Sequence, residues 1–88
     1  MVKIILPSVW TAGGQTQFEA VEGPLDEIIR KFATANPGYR ARLLGPDSEP
    51  LRYVNIFVDD NLIPRQERAG TTVPAGSTIT IISPMAGG

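Results

Sequence analysis

Along the first residues apolar side chains recur at every second position. Val2, Ile4 and Leu6 share one face of "VKIIL", with Lys3 and Ile5 on the other, and this spacing predicts a strand over residues 2–6. Gly13-Gly14 is a turn signal able to take positive φ, and "TQFEAVE", with β-favourable Thr16, Phe18 and Val21, predicts a second strand and thus an N-terminal hairpin. After Gly23-Pro24 the period lengthens. Leu25, Ile28, Ile29 and Phe32 stand at i, i+3, i+4 and i+7, the stripe of an amphipathic helix. Pro24 suits its first position, Asp26 and Glu27 fall where the helix dipole favours negative charge, Arg30-Lys31 lie toward the other end, and Asn36-Pro37-Gly38 stops it.

"YRARLL" predicts a short helical turn, and "GPDSEP" a loop. Period two then returns in "LRYVNIFVDD", where Val54, Ile56 and Val58 share one face and Tyr53, Asn55 and Phe57 the other, before a turn at Asp59-Asp60-Asn61. "LIP" reads as a short edge strand, because Pro64 cannot donate to a ladder. "ERAGTTVPAG" reads as loop. "STITIIS" is the last strand, with Ile79 and Ile81 alternating against Thr78, Thr80 and Ile82. Hairpin, helix, strand, short edge strand, strand is an α+β plan: a mixed sheet of four to five strands with one main helix packed on one face. Burying the helical stripe against Ile4, Val54, Ile56 and Ile81 contributes roughly 1.5–3 kcal/mol per side chain, opposed by chain entropy of similar total size.

Composition narrows what such a fold can do. The 88 residues allow a single domain, residues 1–88, with one modest core and no separate catalytic domain. At 42% hydrophobic and 19% charged residues the chain can bury that core. A net charge of -1, with Arg30-Lys31, Arg40, Arg42, Arg52, Arg65 and Arg68 scattered as a solvated surface, argues against nucleic acid as a partner. Cysteine and histidine are absent, which removes disulfides, the common zinc sites and the usual nucleophilic and acid-base catalysts. Asp59-Asp60 has neither a histidine nor a third ligand beside it and reads as a solvated turn, not a metal or catalytic pair. "IIL" is far too short for a signal-peptide core, so no membrane partner and a cytoplasmic location are expected.

The chain finishes on "SPMAGG", two residues without side chains after a well-formed strand. Together with "YVNIFVDDNLI" and "VPAGSTITIISP", in that order, this ending resembles the sulfur carriers of the ubiquitin-like β-grasp superfamily, the ThiS/MoaD type. The group holds the small subunit of molybdopterin synthase, the thiamine-pathway carrier and the cysteine-synthesis carrier. The resemblance implies a protein co-substrate, not an enzyme. The carboxylate of Gly88 would be adenylated by a partner resembling ubiquitin-activating enzyme, using ATP and magnesium, with no cofactor bound to the carrier itself. Sulfur would then displace the adenylate to give a thiocarboxylate. The long connection "YRARLLGPDSEPLRYVNIFVDD" is most similar to the cysteine-synthesis type, in which a pyridoxal-phosphate enzyme accepts the sulfur. A metalloprotease that trims the C-terminus is a further partner the resemblance admits.

The residues themselves agree. A carboxylate is a poor electrophile until activated, and it must enter another protein's nucleotide site. Residues 84–88 read as a flexible tail for that channel: Gly87 and Gly88 pass a narrow passage and bend freely, Met85 and Ala86 keep the approach slim, and Pro84 ends the strand. Affinity requires more surface than a tail. In a β-grasp sheet the first and last strands are neighbours and the third lies beside the last, so Ile5, Tyr53, Phe57 and Ile82 are expected side by side on the open face as a docking patch. Other readings remain at this point: a carrier serving the synthesis of another sulfur-containing metabolite, the molybdopterin-synthase subunit, a ubiquitin-like modifier joining Gly88 to a lysine, or a purely structural interaction domain.

Overall fold

A computed structural model of the chain describes residues 1–46 and 54–83. Alternation makes the sheet. Strands β1 (Val2–Ile5), β2 (Gln17–Ala20), β4 (Asn55–Val58) and β7 (Thr78–Ile82) each send alternate residues inward, and β5 (Asn61–Leu62) completes a five-stranded sheet in the order β2-β1-β7-β4-β5. β1 and β7 are parallel, and the other pairings are antiparallel. The expected mixed sheet, with first and last strands adjacent and the third beside the last, is therefore present.

Helix α2 (Leu25–Ala35) covers one face, and its stripe of Leu25, Ile28, Ile29 and Phe32 is buried with Ala33. It packs into a core with Val2, Ile4, Val54, Ile56, Ile79 and Ile81, the inward set of the strands. Pro24 stands one residue ahead of the helix as its cap, in extended conformation, and not at the first helical position. It offers no side-chain acceptor, so the N–H of Leu25 donates instead to the carbonyl of Thr71 at 2.9 Å. Arg30 and Lys31 are mid-helix. They lie one turn after Asp26 and Glu27, at 3.4 and 3.8 Å, which supports the helix by i,i+4 pairing and not through its C-terminal dipole.

Some short elements escape the periodicity, and the helical turn expected over "YRARLL" is present but starts two residues earlier. The hairpin connection contains a single helical turn, α1 (Ser8–Thr11), closed by Ala12 at φ 51 and Gly13 at φ 84. Asn36-Pro37-Gly38 ends α2 but also begins α3 (Pro37–Leu43), where Pro37 needs no N–H. This helix buries Leu43 and stacks Tyr39 on Phe32, with centroids 6.4 Å apart. "ERAGTTVPAG" is not simply loop: Arg65–Gly70 form a 3₁₀ helix, and Thr72–Val73 (β6) pair with Gly23–Pro24 (β3) in a second, two-stranded sheet.

Arg68 is a correction to the solvated surface. It is 6% exposed and its guanidinium Nη2 donates to the carbonyl of Val54. Burial, with Arg65 nearby, lowers its pKa from the usual arginine value. It ties the 3₁₀ helix to the entry of β4.

Candidate functional site

The chain leaves the sheet at Ile82-Ser83, and the surroundings of that exit are the candidate site. Inward positions of β7 are filled by Ile79 and Ile81, so Thr78, Thr80 and Ile82 face the side away from α2. Register aligns a row across the five strands on this open face: Gln17, Ile5, Thr80, Phe57 and Leu62. Thr80 thus stands between Ile5 and Phe57, which are not direct neighbours as the sequence suggested. Ile82, opposite Asn55, is one step along the strand and diagonal to Phe57.

Two shallow grooves meet at this point. One, about 230 Å³, is lined by Phe57, Asp59, Asp60, Thr80 and Ile82. The other, about 340 Å³, lies between β7 and the segment after β1, and Ile5, Thr80 and Ile82 line it. Ile82, 45% exposed, is the ridge they share, while Ile5 and Phe57 are half-buried on either side. The structure therefore gathers Ile5, Phe57 and Ile82 around one threonine at the tail's exit. Tyr53, Pro84, Met85, Ala86, Gly87 and Gly88 lie outside the described residues.

Leu62, 52% exposed, is a member of the face that pattern reading overlooked. The signal was available: a two-residue turn at Asp59-Asp60 pairs Val58 with Asn61 and so sets Leu62 opposite Phe57. Val9 on α1 is the other omission. It is 67% exposed beside the groove, and a single helical turn of four residues gives no periodic signal. Trp10, the next residue, packs partly on the core with the Arg42 guanidinium 6.0 Å from its ring centre.

The acidic turn is structural. Asp59 adopts φ 56, and its carboxylate accepts from the Ser77 hydroxyl at 3.2 Å and the Thr78 N–H at 3.1 Å, fastening the β4–β5 turn to the start of β7. Among the described residues no group of three or more acidic side chains is placed to hold a metal ion. Glu22 has a partner of another kind. Its carboxylate meets the N-terminal ammonium of Met1 at 2.9 Å, and hydrogen bonding from that ammonium, followed by its own backbone N–H, holds its pKa below the usual 4.5. No helix among the described residues is long and apolar enough to cross a membrane.

A helix laid across a mixed sheet whose parallel first and last strands are neighbours defines a ubiquitin-like β-grasp protein. Solved structures share this fold end to end. A chain of the crystal structure of the Amycolatopsis orientalis BexX/CysO complex is 27% identical with a TM-score of 0.79, and the match covers 100% of both chains. SAMP1 from Haloferax volcanii, at 15% identity, has the same fold with a TM-score of 0.76, covering 99% of this chain and 98% of its own. The chain belongs to the ThiS family, which matches residues 9–88. Among curated proteins the sulfur carrier protein CysO of Mycobacterium tuberculosis is 29% identical over 91 aligned positions, covering 99% of this chain and 98% of its own.

Proposed function

We propose that the chain is a sulfur carrier, a protein substrate and not a catalyst, with the Gly88 carboxylate as its reactive group. A carboxylate oxygen attacks the α-phosphorus of ATP in the site of a ubiquitin-activating-enzyme-like partner, and magnesium pyrophosphate leaves. Hydrosulfide supplied by a donor then attacks the acyl carbon, AMP departs as the leaving group and a proton is released, to leave a thiocarboxylate. The observation that carries this reading is that the ThiS-family match runs through Gly87-Gly88 to the last residue. Similarity to CysO along the whole chain favours cysteine synthesis as the destination. A synthase that binds an acceptor amino acid on pyridoxal phosphate would take the sulfur there.

The chemistry assigns parts to the other residues. Pro84, Met85, Ala86 and Gly87 form the slim tail that threads to the nucleotide site. Ile5, Phe57 and Ile82 on the open face, extended by Leu62 and by Tyr53, are the docking patch, since aromatic and aliphatic anchors make interface centres. The domain supplies the grip and the tail supplies the carboxyl group.

Intact-mass spectrometry of protein co-expressed with its native activating enzyme tests this. The expected result is a mass gain equal to replacement of one carboxylate oxygen by sulfur, confined to the C-terminal peptide and abolished by deletion of Gly88. Accumulation of isopeptide conjugates instead would point to a modifier. An unchanged mass with every native partner would overturn the carrier reading.

A further inference from the structure

β2 is an outer strand of the main sheet and pairs with β1 alone. The hydrogen bond from the Leu6 N–H to the Thr16 carbonyl, at 2.8 Å, sets which way its backbone groups point. Bonded and non-bonded pairs alternate along an antiparallel ladder, so Phe18 and Ala20 bond to β1 while Gln17 and Glu19 turn their N–H and C=O groups outward. The Gln15 side-chain amide donates to the Gln17 carbonyl at 2.6 Å. Among the described residues nothing takes up the Gln17 N–H or either backbone group of Glu19. The register with β1 is unbroken along β2, and neither a bulge nor a proline blunts this edge.

Beside the open edge lies a groove of about 370 Å³ between β2 and α2, with Phe18, Ala20, Val21, Ile28, Phe32 and Ala35 among its lining. Val21 is 64% exposed, and Phe18 is half-buried with its ring edge-on to Phe32, centroids 5.1 Å apart. Two charged residues also line it, in different places. Glu19 alternates with the core-packed Phe18 and Ala20 and so faces away from α2, opposite Lys3, whereas Lys31 stands on the helix, exposed and 3.8 Å from Glu27. An open backbone edge, an apolar floor and one cation on the helix side thus meet in a single groove.

We propose that this edge binds an extended segment of a partner protein by strand addition, with aliphatic side chains at alternate positions and an acidic residue at an end. Outward N–H and C=O groups are satisfied by another extended backbone. Side chains opposite Phe18 and Ala20 in the added strand share their face and enter the groove, where apolar groups gain by burial. Lys31, held only in a surface pair with Glu27, favours an acidic end. A second copy of this chain fits less well. Two-fold antiparallel pairing centred on Glu19 sets the two carboxylates opposite each other, and pairing centred on Phe18 needs the Gln17 carbonyl that Gln15 already holds. The edge is separate from the open face with Ile5, Phe57 and Ile82, so a segment bound here leaves the proposed docking patch uncovered, and the inference stands independently of the carrier reading.

Titration of the isotope-labelled protein with the peptide acetyl-Asp-Val-Thr-Val-Thr-Val-Asp-amide, followed by amide chemical shifts, tests the proposal. Shifts are expected at Gln17, Glu19 and Val21 and on α2 at Lys31 and Ala35, with slowed hydrogen exchange of the Glu19 amide. The same peptide with lysine at both ends is expected to bind about threefold more weakly. Glu19→Pro removes an N–H that the ladder with β1 does not use, so the fold should persist while binding weakens by about tenfold. Ala35→Glu, at an exposed helix position, is expected to weaken binding from the groove side and serves if the proline variant unfolds. No shift in the wild type, shifts centred on Phe57 and Ile82 instead, or undiminished binding by the folded variants overturns the proposal. Concentration-dependent self-association without peptide, abolished by Glu19→Pro, would make a second copy the occupant and overturn it likewise.

Discussion

At the scale of single residues, Asp59 shows how a side chain that invites a chemical reading can be taken up by the fold. It occupies the left-handed region at φ 56 and accepts two hydrogen bonds from the start of β7. Those two demands separate by substitution. Asp59→Asn keeps an acceptor oxygen and tolerates the backbone, so little stability should be lost. Asp59→Gly keeps only the backbone freedom and should cost about 1 kcal/mol for the lost hydrogen bonds. Asp59→Ala loses both and should cost about 2 kcal/mol. Urea denaturation midpoints check the order Asp, Asn, Gly, Ala; an alanine variant as stable as wild type would show the turn to be indifferent to its residue. Arg68 makes the complementary point. Its neighbours in the chain, Glu67 and Ala69, give no sign of its burial, and a partner far along the sequence, the carbonyl of Val54, accepts its hydrogen bond.

At the scale of elements, α2 is the piece most legible in the sequence and the piece on which the fold depends. Ile29 is at 0% exposure at the centre of its stripe. Ile29→Ala should destabilise by about 2–5 kcal/mol, since the sheet beneath can collapse only partly into the space. Calorimetry or urea titration reads this, and a loss below about 1 kcal/mol would mean that the helix is not anchored there. Short elements were less legible for a physical reason. α1, the 3₁₀ helix and the β3–β6 pair span four, six and two residues per strand, less than the length over which periodicity distinguishes helix from strand. Their formation is settled by partners elsewhere, such as the Thr71 carbonyl that accepts from Leu25.

At the scale of the whole molecule, the two faces of the sheet differ, and the docking patch proposed for the activating enzyme belongs to the open one. One face of the sheet is sealed by α2 with the core aliphatics, and the other carries Ile5, Phe57, Leu62 and Ile82, partly or largely exposed. Phe57→Asp should thus leave the thermal midpoint nearly unchanged, because Phe57 lies outside the buried cluster, yet slow adenylation by about tenfold or more. Unaltered activation rates in a folded Phe57→Asp variant would exclude this face as the docking surface.

Local pattern alone determined the strands of the main sheet, the main helix, the inward set of aliphatics and the ending that resembles the family's. These depend on side-chain period and on residue type, both of which are written along the chain. Tertiary structure decided what period cannot encode. Strand order set Thr80 between Ile5 and Phe57, the parallel pairing of β1 with β7 carried Val9 to the tail's exit, and packing drew Arg68 inside. Each of these joins residues far apart in sequence, so each became visible only once the sheet had closed.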